Sequence, residues 1–312
     1  MYSHKTLAIG ADIGGSHISC AAVDLENLEY LSHTFSQCEV DNHASPEKII
    51  GLWSDAIRST MELAGPDNIR GIGFAMPGPF DYVNGISLFR GENGKFENTY
   101  GLDVPVQMKA RLKLPEDFTI RFINDATAFA IGEDRFGKGK GFERILAITL
   151  GTGFGSAFLS DHLPVLDGPH VPYQGCLWHI QYEDGIADDY FSTRGFLKRF
   201  KDSTGEEIHG VKQLAERAAT HVQAMALFED FGFKMGRFLK PRMEKFSCEL
   251  LVMGGNISNA YPLFKDQLLK GLDNENFKVE TSKLQETASM IGSAFLVDDI
   301  FYKKLLPLLS KM

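Results

Sequence analysis

Three short stretches join glycine to a carboxylate, amide or hydroxyl, a fourth pairs an amide with a carboxylate, and each follows a run with strand character. Asp12 and Gly14-Gly15-Ser16 follow Leu7–Ile9, and Asn124-Asp125 follows Phe118–Ile123. Gly151-Thr152-Gly153-Phe154-Gly155 follows Ile145–Leu150, and Gly254-Gly255-Asn256 follows Glu249–Met253. A glycine turn leaves backbone N–H groups uncovered, and such a concavity can hold phosphate. A carboxylate at a strand end, as at Asp12, can hold Mg²⁺ through water. Ligands of open α/β sheets bind beyond the carboxyl ends of the strands, so the four stretches are expected to line one cleft. Singly they are weak signals, because a turn Asp or a capping Asp at the start of a helix explains each carboxylate as well. Their repeated placement after strands is what gives them weight.

The elements that must position these residues can be read along the chain. Leu7–Val23 reads as two strands joined by the first glycine turn. Ser45-Pro46-Glu47 is a helix start, with a capping Ser, Pro at the first position and an acid in the first turn. Ile49, Trp53, Ile57 and Met61 continue that helix until Gly65-Pro66 stops it. Ile69–Ala75 is a strand broken by Met76-Pro77-Gly78-Pro79. Val83–Tyr100 is turn-rich (Asn84-Gly85, Asn93-Gly94) and is expected over a cleft. Ala126–Phe136 is a helix, ended by the loop from Gly137 to Gly141, where a solvated role for Lys138 and Lys140 is preferred to phosphate steering. Ile145–Leu159 repeats the strand, glycine turn, strand design of the N-terminus. Val211–Lys240 reads as one helical region ended by Pro241, within which Gly232 and Gly236 predict close helix packing. Thr287–Leu306 reads as one closing helix.

Composition narrows the function. There are 32 basic against 41 acidic residues, a net charge of −9, which disfavours nucleic acid as a partner. The most apolar stretch, Ile145–Leu159, is interrupted by Gly and Thr and too short to span a bilayer, so no membrane partner is expected. Cys20, Cys38, Cys176 and Cys248 form no CxxC pair, giving neither a zinc knuckle nor a disulfide framework. With a first strand beginning by Leu7, no signal peptide is expected, and the setting is read as cytoplasmic.

Taken in order, DIGGSH, MPGPFD, NDATAFAIGE, LGTGFGSAF and VMGGNIS resemble the ROK (repressor, ORF, kinase) family of sugar kinases, within the actin-like ATPase superfamily. The likeness runs from Leu7 to about Leu296. It implies an α/β, two-lobed fold of the ribonuclease H-like kind with mixed sheets and an interlobe cleft. The lobes are expected at residues 1–124 and 125–290, with the last helix, about 291–312, packing back on the first. The implied activity is ATP- and Mg²⁺-dependent phosphorylation of a hexose or amino sugar, glucokinase- or fructokinase-like. The resemblance makes Asp12, Gly14, Gly15 and Ser16 the first phosphate loop. It makes Gly151, Thr152, Gly153 and Gly155 the second, and Gly254, Gly255 and Asn256 the adenosine side. Asn124 and Gly78 are implied on the sugar, with Asp125 as the general base. Chemistry agrees with that last role, since a hydroxyl held in line with a γ-phosphate must lose its proton.

The departures from the family are specific. Ser16-His17 stands where Thr-Lys is usual. The Cys-rich zinc loop CxCGxxGC is missing, so no zinc is expected. Cys176-Leu177-Trp178-His179 replaces Glu-x-Gly-His, which removes the Glu and leaves His179 as a sugar contact, held by packing around Trp178 and Tyr190. Gly185-Ile186-Ala187-Asp188 is the counterpart of Gly-Cys-Leu-Glu, putting Asp188 in the place of a sugar-binding Glu. Two rival readings are a catalytically degenerate sugar-binding or regulatory member, and an actin-like ATPase acting on something other than a sugar. A homodimer is left open.

Overall fold

The structure, a computed structural model, describes residues 7–91, 94–274 and 276–312; Asn93, read above as part of a turn, lies outside them. The chain forms two compact α/β units. One runs through Phe136 and includes Glu286–Met312; the other is Gly137–Gln285.

The first unit begins with β1 (Leu7–Ile13) and β2 (His17–Asp24), whose apolar residues pair antiparallel from Leu7 opposite Asp24 to Ile13 opposite Ile18. β3 (Glu29–Glu39) pairs antiparallel with β2. α1 (Pro46–Ala64) starts under Ser45, whose Oγ accepts the Lys48 N–H at 3.4 Å, and stops at Gly65, where φ is +82°. It buries Ile49, Trp53, Ile57 and Met61, the face its periodicity predicts. β4 (Ile69–Met76) runs parallel to β1. The hairpin of β5 (Phe80–Asp81) and β6 (Ile86–Ser87) turns through Asn84-Gly85. α2 (Val104–Leu112) follows; it buries only Val104 and Met108, too weak a pattern to read from sequence. β7 (Thr119–Asn124) adds parallel to β4 and leads into α3 (Asp125–Phe136). The sheet order is β3-β2-β1-β4-β7.

The second unit repeats this plan. β8 (Arg144–Leu150), β9 (Phe154–Ser160) and β10 (Leu163–Pro164) are antiparallel neighbours. The short hairpin β11 (Gln181–Tyr182) and β12 (Gly185–Ile186) precedes α4 (Ala187–Phe191) and α5 (Thr193–Thr204). α6 (Val211–Ala218) and α7 (Val222–Phe246) follow, then β13 (Leu250–Gly254), α8 (Tyr261–Leu272) and β14 (Lys278–Thr281). β13 is parallel to β8 and β14 to β13, giving the order β10-β9-β8-β13-β14. Phe191, Phe196, Phe228, Phe231 and Phe238 fill the core beside this sheet.

The chain then returns to the first unit as α9 (Glu286–Ala294) and α10 (Asp299–Leu309). α9 lies backbone to backbone against its neighbours. A Cβ on Gly10 of β1 would run into the Met290 carbonyl, and one on Gly73 of β4 into that of Ser293. Between α3 and α9 the relation is reciprocal: Gly132 faces the Ala288 carbonyl, and Gly292 faces that of Ala128. Arg121 ties α10 to β7 by donating to Asp299 Oδ1 at 2.7 Å.

Several expectations differ from the structure. α3 belongs to the first unit rather than opening the second, because its small face packs on α9; the division falls after Phe136 instead of Asn124, and the return is at Glu286. The single helix expected over Val211–Lys240 is α6 and α7, and α7 passes through Pro241 to Phe246. An interior Pro costs about 3 kcal/mol. Burying Met243 and Phe246 beyond it returns about 1.5–3 kcal/mol each, enough to keep the last turns helical. The closing helix is also two, parted by a 3₁₀ turn at Phe295–Val297 and restarted under Asp298, which accepts the Phe301 N–H at 2.7 Å. Gly232 and Gly236 do lie against α8, facing the carbonyls of Phe264 and Leu268. Lys138 pairs with Glu280 at 2.7 Å instead of being only solvated. Among the described residues no helix is long and apolar enough to cross a membrane.

The helix contact can be tested by denaturation. Gly132→Ala should cost about 1–3 kcal/mol through overpacking, although Ala is the better helix former by about 1 kcal/mol. Gly210→Ala, with nothing within 4 Å of the new carbon, should lose only the modest preference for glycine over alanine at the N-cap of α6, and less than Gly132→Ala. A neutral or stabilised Gly132→Ala protein would contradict the close contact.

Candidate functional site

In the first unit, β1, β4 and β7 are parallel neighbours, so their carboxyl ends emerge together. Asp12 lies near the end of β1, and Asn124 ends β7 opposite Met76. Asp125 opens α3. A helix start needs a side-chain acceptor for its free N–H groups. Asn124 supplies it: its Oδ1 accepts the Thr127 N–H at 3.2 Å. Asp125 Oδ1 accepts the Ala126 N–H at 2.8 Å and the Asn124 amide at 3.0 Å. With Asn124 as the cap, Asp125 Oδ2 has no hydrogen-bond partner among the described residues.

Burial raises the Asp125 pKa, partly offset by the Ala126 N–H, the positive charge of Lys95 and the Asn124 amide. Asp12 is pushed up to about 8, first by burial and then by the negative charges of Asp125 and Glu286. It is therefore a carboxylate whose negative charge lacks compensation. Its hard oxygen donors suit a divalent cation such as Mg²⁺. Among the described residues no three or more His, Cys, Asp or Glu side chains are grouped to hold a metal, so Asp12 would act with water as the other ligands.

The first glycine turn closes through Gly14 N–H to the His17 carbonyl at 2.9 Å. The N–H groups of Gly15 and Ser16 have no partner among the described residues, as an anion site requires. Asn42 braces the turn through its amide to the Gly15 carbonyl, and a side-chain carbon on Gly15 would lie 2.7 Å from Lys95 Nζ. A Cβ on Gly78 would lie 3.5 Å from the hydroxyl of Tyr82, which donates to the Met76 carbonyl at 3.1 Å and accepts from the Asn124 amide at 3.4 Å. Asn42, Tyr82 and Lys95 were not read from the sequence. Tyr82 adjoins the MPGPFD stretch, which was its one signal; Lys95 and Asn42 sit in loops with none.

In the second unit, Thr149 of β8 has Gly155 opposite it on one side and Gly254 on the other. Those two glycines are thus strand residues, while Gly151, Thr152 and Gly153 form the turn proper. Gly151 N–H donates to the Gly153 carbonyl at 3.1 Å, leaving the Thr152 and Gly153 N–H groups without partners among the described residues. Gly255 adopts φ of +80° with the Leu150 carbonyl 2.6 Å from where a Cβ would stand, so both conformation and space demand glycine. Asn256 is exposed beside it.

Asp188 has both carboxylate oxygens engaged. Oδ1 accepts the Phe154 N–H at 2.7 Å and Oδ2 accepts from Arg194 Nη2 at 2.8 Å. His179 packs edge-on against Trp178 at 5.3 Å, and its ring nitrogens have no partner among the described residues. Tyr190, expected beside it, packs instead on Tyr182 at 5.0 Å and on Phe191. The His179 segment is fastened to β9 by Ser156 Oγ, which accepts the Leu177 N–H at 2.9 Å. The sequence-predicted residues therefore divide: Asp12, Gly14–Ser16, Gly78, Asn124 and Asp125 in the first unit, the remainder in the second.

Comparison with known proteins follows from this geometry. The ROK family sequence profile matches residues 8–300. The glucokinase of Streptomyces coelicolor (strain ATCC BAA-471 / A3(2) / M145) is 33% identical, over 93% of this chain and 97% of that protein. The xylose repressor of Caldicellulosiruptor bescii is 24% identical over 93% of this chain and 77% of the repressor. A ROK family glucokinase from Streptomyces griseus, solved with glucose and AMPPNP, superposes with a TM-score of 0.72 at 23% identity, covering 93% of this chain and 98% of that one.

The Asp12 charge gives a pH dependence. Its folded pKa near 8 exceeds the ordinary 3.8, so the folded form keeps a proton that the unfolded chain releases. Stability should fall as pH rises from about 4 to about 8. Asp12→Asn should remove that component, so its urea midpoint gains on the parent between pH 5 and pH 9. Parallel curves would contradict the burial of this charge.

Proposed function

Because the chain belongs to the ROK family, we propose that it phosphorylates a hydroxyl of a hexose or amino sugar, drawing the phosphoryl group from ATP with Mg²⁺. The observation that carries the reading is the division of labour at the start of α3. Asn124 caps the helix, which frees one oxygen of Asp125 for a substrate proton. A carboxylate whose pKa is raised by burial is a better base than one in water, and it is held at a strand end by its own backbone.

The remaining roles follow from donor chemistry. Gly15 and Ser16 N–H in the first turn, and Thr152 and Gly153 N–H in the second, are donors for phosphate oxygens. Asn124, Gly78 and His179 are assigned to the sugar, and Gly254, Gly255 and Asn256 to the adenosine. Asp12 would hold Mg²⁺ through water, and the metal when bound would neutralise phosphate charge. Each hydroxyl left without its polar partner in a buried site costs about 1–3 kcal/mol, so these contacts also set sugar selectivity. The four thiols form no disulfide, which suits a cytoplasmic setting.

We also read the site as zinc-free. His170 donates its Nδ1–H to the Lys245 carbonyl, 3.0 Å away, so that nitrogen is committed elsewhere. Elemental analysis finding one zinc per chain would overturn this.

A non-catalytic sugar-binding regulator is the second reading. It is favoured by the xylose repressor relative and by Cys176 in the place of the family Glu. Asp125→Asn separates the two. For a kinase it should lower kcat about 10²–10⁴-fold with ATP affinity little changed. Near-normal turnover in a folded Asp125→Asn protein would remove Asp125 from the reaction.

A further inference from the structure

The second glycine turn carries no charge of its own: residues 150–156 read Leu-Gly-Thr-Gly-Phe-Gly-Ser. A polyphosphate on this turn would meet backbone N–H dipoles but no cation from it. A negative group lies against the turn. Asp188 Oδ1 takes the Phe154 N–H and would lie 3.3 Å from a carbon added at Gly153. Left bare, that carboxylate would repel phosphate.

It is not bare. Asp188 Oδ2 holds Arg194 at 2.8 Å, with the aspartate side chain 15% exposed and the arginine 63% exposed. A guanidinium has five N–H donors. Only one of its nitrogens has a partner among the described residues, which leaves the other N–H groups available to a ligand. A second tether fixes the same segment, since Thr193 N–H donates to the Gly151 carbonyl at 2.8 Å. Arg194 is thus tied to the turn by two routes, one through its neighbour Thr193 and one through its side chain by way of Asp188.

Resting on the kinase reading above, we infer that Arg194 is a phosphate-binding residue of the second turn, and that Asp188 positions it instead of touching sugar. Asp188 is one methylene shorter than the Glu it replaces, and both its oxygens are spent within the second unit. The planar guanidinium suits a phosphoryl group, which accepts paired N–H donors. The ligand contacted is the polyphosphate of the nucleotide, not its base or ribose.

Calorimetry on the full chain tests this, titrating adenosine, ADP with Mg²⁺ and ATP with Mg²⁺ into the parent, Arg194→Ala, Arg194→Lys and Asp188→Asn proteins. Arg194→Ala should weaken ATP about 10- to 100-fold, the span of a lost charge-assisted hydrogen bond. ADP should weaken less and adenosine should be unchanged, which a general folding defect would not produce. Arg194→Lys should recover part of the loss. Asp188→Asn should weaken ATP while leaving the sugar KM within about twofold. Parent-like ATP binding by Arg194→Ala would overturn the inference alone, as would an Asp188→Asn effect confined to the sugar KM. A parent protein that binds no ATP would overturn the kinase reading, and this one with it.

Discussion

The first unit depends on how closely one helix can approach a sheet. α9 arrives from the far end of the chain and lies on β1, β4 and α3 with no side chain between the backbones, at Gly10, Gly73, Gly132 and Gly292. Interiors pack at crystal density, so a contact of this kind leaves no freedom in helix position. Glu286 at the start of α9 is thereby brought to act on Asp12, and the start of α3 is fixed where Asp125 acts on Asp12 as well. The negative charges that add to burial in raising the Asp12 pKa are thus set in place by glycine packing.

The two units handle charge in opposite ways. In the first, acidic groups are gathered with Lys95 as the cation that lowers Asp125 and lies beside Gly15. In the second, the acidic group Asp188 is answered by Arg194 directly. The first arrangement favours a metal ion and a proton acceptor. The second favours an anion, because its turn exposes N–H groups and its carboxylate is already paired. This asymmetry on a shared sheet plan is what the kinase reading uses.

Much of this was legible in the sequence where the signal was local. The strand, glycine turn, strand units and the Ser45 cap depend on neighbours within one or two turns, and the one-turn spacing of Gly232 and Gly236 is itself local although their partner helix is not. What was not legible depended on distant partners. No local pattern says that α3 packs on α9, which is why it was assigned to the second lobe. Pro241 reads as a stop, and the burial of Phe246 that overrides it is tertiary. Asn124 and Asp125 are both good caps, and choosing between them required the Thr127 N–H. That Asp188 accepts the Phe154 N–H, 34 residues away, has no local signal either.

The central claim is that these groups act on a sugar hydroxyl. The most direct measurement is ADP release with and without each member of a panel of hexoses and amino sugars, with products followed by ³¹P NMR. The account predicts ADP formation that depends on one class of sugar, matched by a sugar phosphate in equal amount. ADP release unaltered by every sugar, or sugar binding with no ADP formed, would contradict it.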